Sequence, residues 1–181
     1  MAKKLTGKIQ VELGGTIRIE FFAPGLPKPG GSKKGFYVEK LKRVVITDAS
    51  NNKDWRNAVR TFCYQSLPEG FTLLSGPLTL RIQFRMPRPK SHYRTGAHAG
   101  ELRPDAPHFH THAPDSTKLT RSTEDALTGM VWHDDALVAR QSIEKVYADS
   151  PGAYVVIETL ADVHATPVPM QTPLFEEALP L

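Results

Sequence analysis

Asp115, Asp134 and Asp135 are the residues whose types and spacing suit chemistry on phosphate. Asp115 stands just ahead of a helical pattern, and the adjacent pair stands just ahead of a strand, with one short turn between the two elements. Hydrolysing a phosphodiester requires a nucleophilic water and neutralised charge on the phosphate oxygens, and one or two Mg²⁺ ions can supply both. Mg²⁺ is a hard cation that prefers oxygen ligands, so converging carboxylates are its signature. Each aspartate also has a plain structural reading. Asp115 occupies a preferred N-cap position, and Asp134 and Asp135 suit a solvated turn. Their pairing favours function, because neighbouring carboxylates repel unless a cation lies between them.

Other features offer competing chemistry. His108, His110 and His112 alternate, which places three imidazoles on one face of a strand. With His133 they would suit a zinc or HNH-like site. An edge strand of mixed aromatic and histidine character, or phosphate contact by His112, is the preferred reading, since no C-x-x-C spacing supports zinc. Cys63 has no partner for an internal disulfide and lies inside a helical pattern, so it reads as a small buried hydrophobe. The loop APGLPKPGGSKKG contains no G-x-x-x-x-G-K-[ST], which excludes a P-loop.

Arg81, Arg85, Arg88, Lys90 and Arg94 form a basic run with no acid among them, interleaved with His92 and Tyr93. Such a run suits backbone phosphates, which set affinity without reading sequence. Lys28, Lys33 and Lys34 make a second candidate DNA surface, and Lys118 on the polar side of the later helix joins them. Residues 162–181 carry Asp162, Glu176 and Glu177 and no Lys or Arg, so removing them raises the net charge from +4 to +7. A basic body suits a phosphate-rich partner.

Positioning these residues requires a scaffold. Thr16 to Phe22 alternates as a half-buried strand, and Trp55, Val59, Phe62 and Ser66 recur at helical spacing from about Asn52 to Leu67. Pro77 to Met86 alternates again and is followed by a long loop of the kind that is usually functional or disordered. A second helix runs from about Ser116 to Thr128, with Leu119, Thr123, Ala126 and Leu127 on one face and Gly129 as its stop. Asp115, Lys118, Ser122 and Asp125 share the adjoining polar side. Strands from about Leu137 to Tyr147 and Tyr154 to Leu160 meet at the turn ADSPG. The order β-α-β-α-β-β predicts an α+β domain over residues 1–161, one small mixed sheet with two packed helices, and a flexible Pro-rich tail over 162–181. With 40% apolar residues and no apolar run long enough for a membrane span, the chain reads as a soluble protein. The alternating MAKKLTGKIQVELGG start does not fit a signal peptide, and cytoplasmic localisation is expected.

The 25 residues PDSTKLTRSTEDALTGMVWHDDALV, from Pro114 to Val138, resemble the signature of RusA-type Holliday junction resolvases in order and spacing. That signature has the form P-D-x-D-N/K-L-x-K/R, then D-A-L, then an apolar turn ending D-D-x-x-V. A weaker resemblance extends over residues 16–161. It implies a RusA-like fold and an Mg²⁺-dependent endonuclease, Mn²⁺ being an alternative ion. It also implies a homodimer whose two sites nick opposing strands of branched DNA symmetrically. By position it makes Asp115 and Asp135 metal-binding catalytic carboxylates, with Asp134 beside them. Arg121 falls where the family usually has a catalytic Lys, a cation placed to stabilise charge on the scissile phosphate. The structural alternative for Arg121 is an i, i+4 pair with Asp125.

Thr117 departs from the pattern, standing where the family commonly has a second Asp. Thr117 and Asp125 therefore enter as weak or supporting ligands. Three resolutions follow: a water bridges Thr117 to the metal, Asp134 or Glu124 substitutes, or the protein binds junctions architecturally without cutting them. In the tail, Gln171, Leu174 and Phe175 lie within QTPLF, which resembles the Q-x-x-L-F peptide that docks on bacterial sliding clamps. That resemblance makes the clamp a candidate partner.

Overall fold

Alternation of apolar and polar side chains builds the sheet. On β2 (Ile17–Pro24) Ile19, Phe21 and Ala23 are buried, while Arg18, Glu20 and Phe22 face the other way. The computed structural model describes residues 8–11, 16–31, 34–47 and 52–160. Among these, β1 (Lys8–Val11), β2, β5 (Leu78–Pro87), β6 (Val138–Ala148) and β7 (Gly152–Thr159) form one sheet in the order β1-β2-β7-β5-β6. All neighbours are antiparallel except β5 and β6, which are parallel and joined by the long loop and the second helix. The sheet is thus mixed, and with two helices the fold is α+β, as the sequence predicts.

Register places the core in rows. Ile19 pairs with Ile157, Ile157 with Leu80 and Leu80 with Gln141, so one row crosses four strands. Its first three members are fully buried. The row turns polar at β6, where Gln141 and, two steps on, Lys145 share this face. The opposite face carries polar side chains, among them the ion pairs of Arg18 with Glu20 and Glu158 and of Arg81 with Glu158.

Helices α1 (Lys53–Tyr64) and α2 (Ser116–Leu127) pack on each other, α1 against β2 and α2 against β6. Trp55, Val59 and Cys63 of α1 recur at four-residue spacing and are buried, the apolar stripe expected of a core-facing helix. Burial pushes the Cys63 thiol up to about 12, in keeping with an inert core residue. At the other end of α2, Gly129 adopts φ +79°, a left-handed conformation that a side chain would strain. Gly129 stops the helix there, as its type predicts.

Three strands lie beyond the sequence reading. A hairpin of β3 (Lys34–Val38) and β4 (Arg43–Thr47) forms a separate two-stranded sheet, and β1 extends the main one. The bounds of the other strands differ from the predicted ones by one or two residues. The tail at 162–181, with Gln171, Leu174 and Phe175, lies outside the described residues, as does Lys33.

Candidate active site

The polar row on β6 and the hydrogen bonds between the helices together position α2. From α1 and its N-cap, Asn52 Nδ2 donates to Ser122 Oγ at 3.1 Å, Trp55 Nε1 to Thr123 Oγ1 at 3.3 Å, and Arg60 Nε to the Ala126 carbonyl at 3.3 Å. Ser122 is therefore buried against α1, not on the polar side where helical spacing alone put it. From β6, Gln141 Nε2 donates to the Glu124 carboxylate. Lys145 Nζ donates to the carbonyls of His112 at 2.6 Å and Pro114 at 2.7 Å. One ammonium thus pins both ends of the corner that leads into α2.

An open cleft of about 680 Å³ lies at the C-terminal half of α2. Arg121 and Asp125 of α2, Arg56 of α1, and His133, Asp134 and Asp135 of the following turn face it. Asp134 Oδ1 accepts from the Ala136 N–H at 2.9 Å and caps a short 3₁₀ turn, Asp135–Leu137. Its structural and cleft-facing roles are compatible, since a carboxylate has further lone pairs. Behind this wall Glu124 is buried, and burial first, then the charges of Asp135 and Asp125, push its carboxyl above the ordinary glutamate range.

Asp115 sits at the N-cap of α2 but makes no side-chain cap bond. Its Oδ2 instead lies 3.1 Å from Lys118 Nζ, and its side chain is 65% exposed. It does not face the cleft that holds Asp134 and Asp135. Among the described residues, no three His, Cys, Asp or Glu side chains stand together at metal-holding separation. Thr117 is exposed in the first turn of α2. The oxygen donors around Asp134 and Asp135 fit a hard divalent cation in chemical type. Burial is the main cause that raises Glu124, and the smaller part due to the Asp135 and Asp125 charges is what such a cation would relieve.

Asp125 is ion-paired with Arg56 Nη2 across the two helices. The i, i+4 pair of Asp125 with Arg121 is thereby replaced, and Arg121 lies exposed on the cleft wall. Neither Arg56 nor Lys145 stood out in the sequence, because a lone cation on a helix or strand has no spacing to mark it.

The histidine run pairs with the edge of β6, His110 N–H donating to the Lys145 carbonyl at 2.9 Å and Tyr147 N–H to the His108 carbonyl at 2.9 Å. The His110 ring lies 4.8 Å from that of Tyr147, and burial, then the Lys145 ammonium, hold its imidazole below the usual histidine value. Of the basic run, Arg85 lies over the Phe22 ring at 5.6 Å, and Arg88 donates to the Pro107 carbonyl at 2.9 Å and stacks over Tyr147 at 5.4 Å. Arg94 pairs with Glu101 at 3.0 Å, while Lys90 is exposed. Lys28 is half-buried, Lys118 is exposed, and Lys34 opens β3.

The chain is 26% identical over 148 residues to the uncharacterized protein YqaN of Bacillus subtilis (strain 168), covering 79% of this chain and 97% of that one. Residues 24–158 match the family model of endodeoxyribonuclease RusA. That span holds α1, α2, the cleft and every strand from β3 to β7 but the last residue of β7, with β1 and all of β2 except Pro24 lying before it, and so the chain belongs to the RusA endodeoxyribonuclease family.

Proposed function

We propose that this protein is a divalent-metal-dependent endonuclease that resolves four-way DNA junctions by paired symmetric nicks. The observation that carries this reading is the shared cleft wall, where Asp134, Asp135 and Arg121 face one open volume. Asp134 and Asp135, which face the cleft, would hold Mg²⁺, with Mn²⁺ as an alternative, and Asp115, which the family signature assigns to the ion, would have to turn from Lys118 to join them. When bound, the ion supplies charge neutralisation at the phosphate and a water that ionises more readily.

The chain's own residues supply the rest. Arg121 presents a planar fork of donors, which matches two phosphate oxygens, where a lysine would offer a mobile point charge. Gln141 holds Glu124 in place behind the aspartates. Lys145 fixes the corner from which Asp115 projects, through its two bonds to backbone carbonyls. Lys28, Lys33, Lys34, Lys90 and Lys118 would neutralise backbone phosphates. A homodimer supplies the second site, and its two-fold symmetry matches that of the junction. The setting is the cytoplasm, and among the described residues no helix is long and apolar enough to cross a membrane.

A second reading is a junction-binding protein with weakened catalysis. Thr117 in place of a carboxylate and the separate placement of Asp115 favour it. Asp115→Asn and Asp135→Asn separate the two readings in parallel gel-shift and nicking assays. The endonuclease reading expects junction binding to persist and cleavage to fall at least about a hundredfold in each, since several kcal/mol of charge stabilisation is removed. Full cleavage by either variant would remove that residue from the site.

A further inference from the structure

We propose that Arg56, a residue of α1 outside the family signature, is a second ligand for the substrate phosphate in this cleft, aimed by Asp125. The proposal rests on the cleft being the place where the DNA strand is cut. Arg56 faces the same volume as Arg121, Asp134 and Asp135, but from the neighbouring helix. Two arginines from two elements thus flank the two aspartates, and a phosphodiester has two non-bridging oxygens to receive them.

The ion pair with Asp125 is an orienting contact. The Arg56 side chain is about three-quarters buried, at 24% exposure, and Asp125 takes one of its terminal nitrogens. A carboxylate on one edge fixes the plane of a guanidinium and leaves its charge in place. A purely structural staple is not needed at this position. Asn52, Trp55 and Arg60 already bind α1 to α2, and a partly exposed ion pair adds little to stability.

Part of the cleft wall is bare backbone. Gly30 and Gly31 form it, and the Gly30 N–H donates to the Lys118 carbonyl at 2.7 Å. A Cβ at Gly30 would meet Ser122 N at 3.4 Å and the Lys118 carbonyl oxygen at 3.5 Å, so this loop lies directly on the backbone of α2. This part of the wall is therefore backbone, with no long side chain projecting from these two residues into the space before the arginines.

The test uses the full chain, a labelled four-way junction, and the variants Arg56→Met, Arg56→Lys and Asp125→Asn. Junction affinity is measured over a salt series in EDTA, and nicking with Mg²⁺ or Mn²⁺ is measured at varied junction concentration. Arg56→Met should flatten the slope of log affinity against log salt by roughly 0.9, the loss of one phosphate contact. Arg56→Lys should keep the slope and nick more slowly, because the fork is gone. Asp125→Asn should also keep the slope, and should lower kcat on the order of tenfold to a hundredfold with little change in KM, because Arg56 keeps its charge and loses its aim. A wild-type slope in folded Arg56→Met overturns the proposal. If Arg56→Met does not fold, wild-type kcat in both Arg56→Lys and Asp125→Asn overturns it. Wild-type protein that binds junctions without nicking them overturns the cleavage reading alone, and the slope still decides for Arg56. Wild-type protein that does not bind the junction overturns both.

Discussion

Glu124 and Gln141 meet where α2 crosses β6, a buried carboxylate accepting from the strand amide on a row that is otherwise apolar core. Burial and the nearby Asp135 and Asp125 raise the Glu124 carboxyl. A carboxyl raised in the folded state contributes stability that is present below its ordinary value of 4.5 and is lost as pH rises through the folded value. Glu124→Gln, which can still accept from Gln141, should therefore raise Tm in EDTA at pH 8 and leave it nearly unchanged at pH 4. The scale is about 2–4 °C for each kcal/mol in a domain of this size. Thermal melts at both pH values decide, and an equal gain at both would show that the charge is not responsible.

Thr117→Asp should restore the carboxylate that the family signature carries and lower the Mg²⁺ concentration for half-maximal nicking. Thr117 is exposed in the first turn of α2, where a negative side chain also favours the helix dipole, so Tm should not fall. A half-maximal concentration that stays put or rises would mean that another residue, Asp134 or Glu124, already fills the role.

Lys90 and Arg88 should behave differently despite lying two residues apart in one basic run. Lys90 is exposed, so Lys90→Ala should flatten the salt dependence of DNA binding by roughly 0.9 with no change in Tm. Arg88 holds the Pro107 carbonyl and covers the Tyr147 ring, so Arg88→Ala should lower Tm and loosen the loop. Identical salt slopes for wild type and Lys90→Ala would place this run away from the DNA.

The elements that the sequence made legible are those with strong periodicity. The alternation in Leu78–Pro87 and the 3.6-residue stripes of α1 and α2 required no knowledge of partners. The β3–β4 hairpin and β1 are short, and among the described residues the hairpin pairs only with itself in the two-stranded sheet. Asp134, Asp135 and Arg121 were visible because they lie in one run of chain with fixed spacing. Arg56, Gln141 and Lys145 reach the site through sheet register and helix crossing, which sequence spacing does not encode. The Asp125 partner illustrates the difference: local spacing pointed to Arg121, while packing of α1 on α2 brought Arg56.

The tail makes a separate prediction. We propose that Gln171, Leu174 and Phe175 dock on the bacterial sliding clamp, Gln171 through polar contacts and the other two in an apolar pocket. A peptide that engages the clamp while the basic body holds DNA would gain from high effective concentration. A synthetic peptide of residues 166–181 should bind purified clamp with micromolar affinity, and Leu174→Ala with Phe175→Ala should eliminate binding. Equal binding by both peptides, or by neither, would refute this.

Cleavage of a labelled four-way junction against linear duplex of the same sequence, in Mg²⁺, Mn²⁺ or EDTA, tests the central claim most directly. The account predicts paired nicks at symmetric positions in opposing strands of the junction with either ion, none in EDTA, little cutting of duplex, and loss of nicking in Asp135→Asn. Tight junction binding with no nicks under any ion would contradict it and leave an architectural protein.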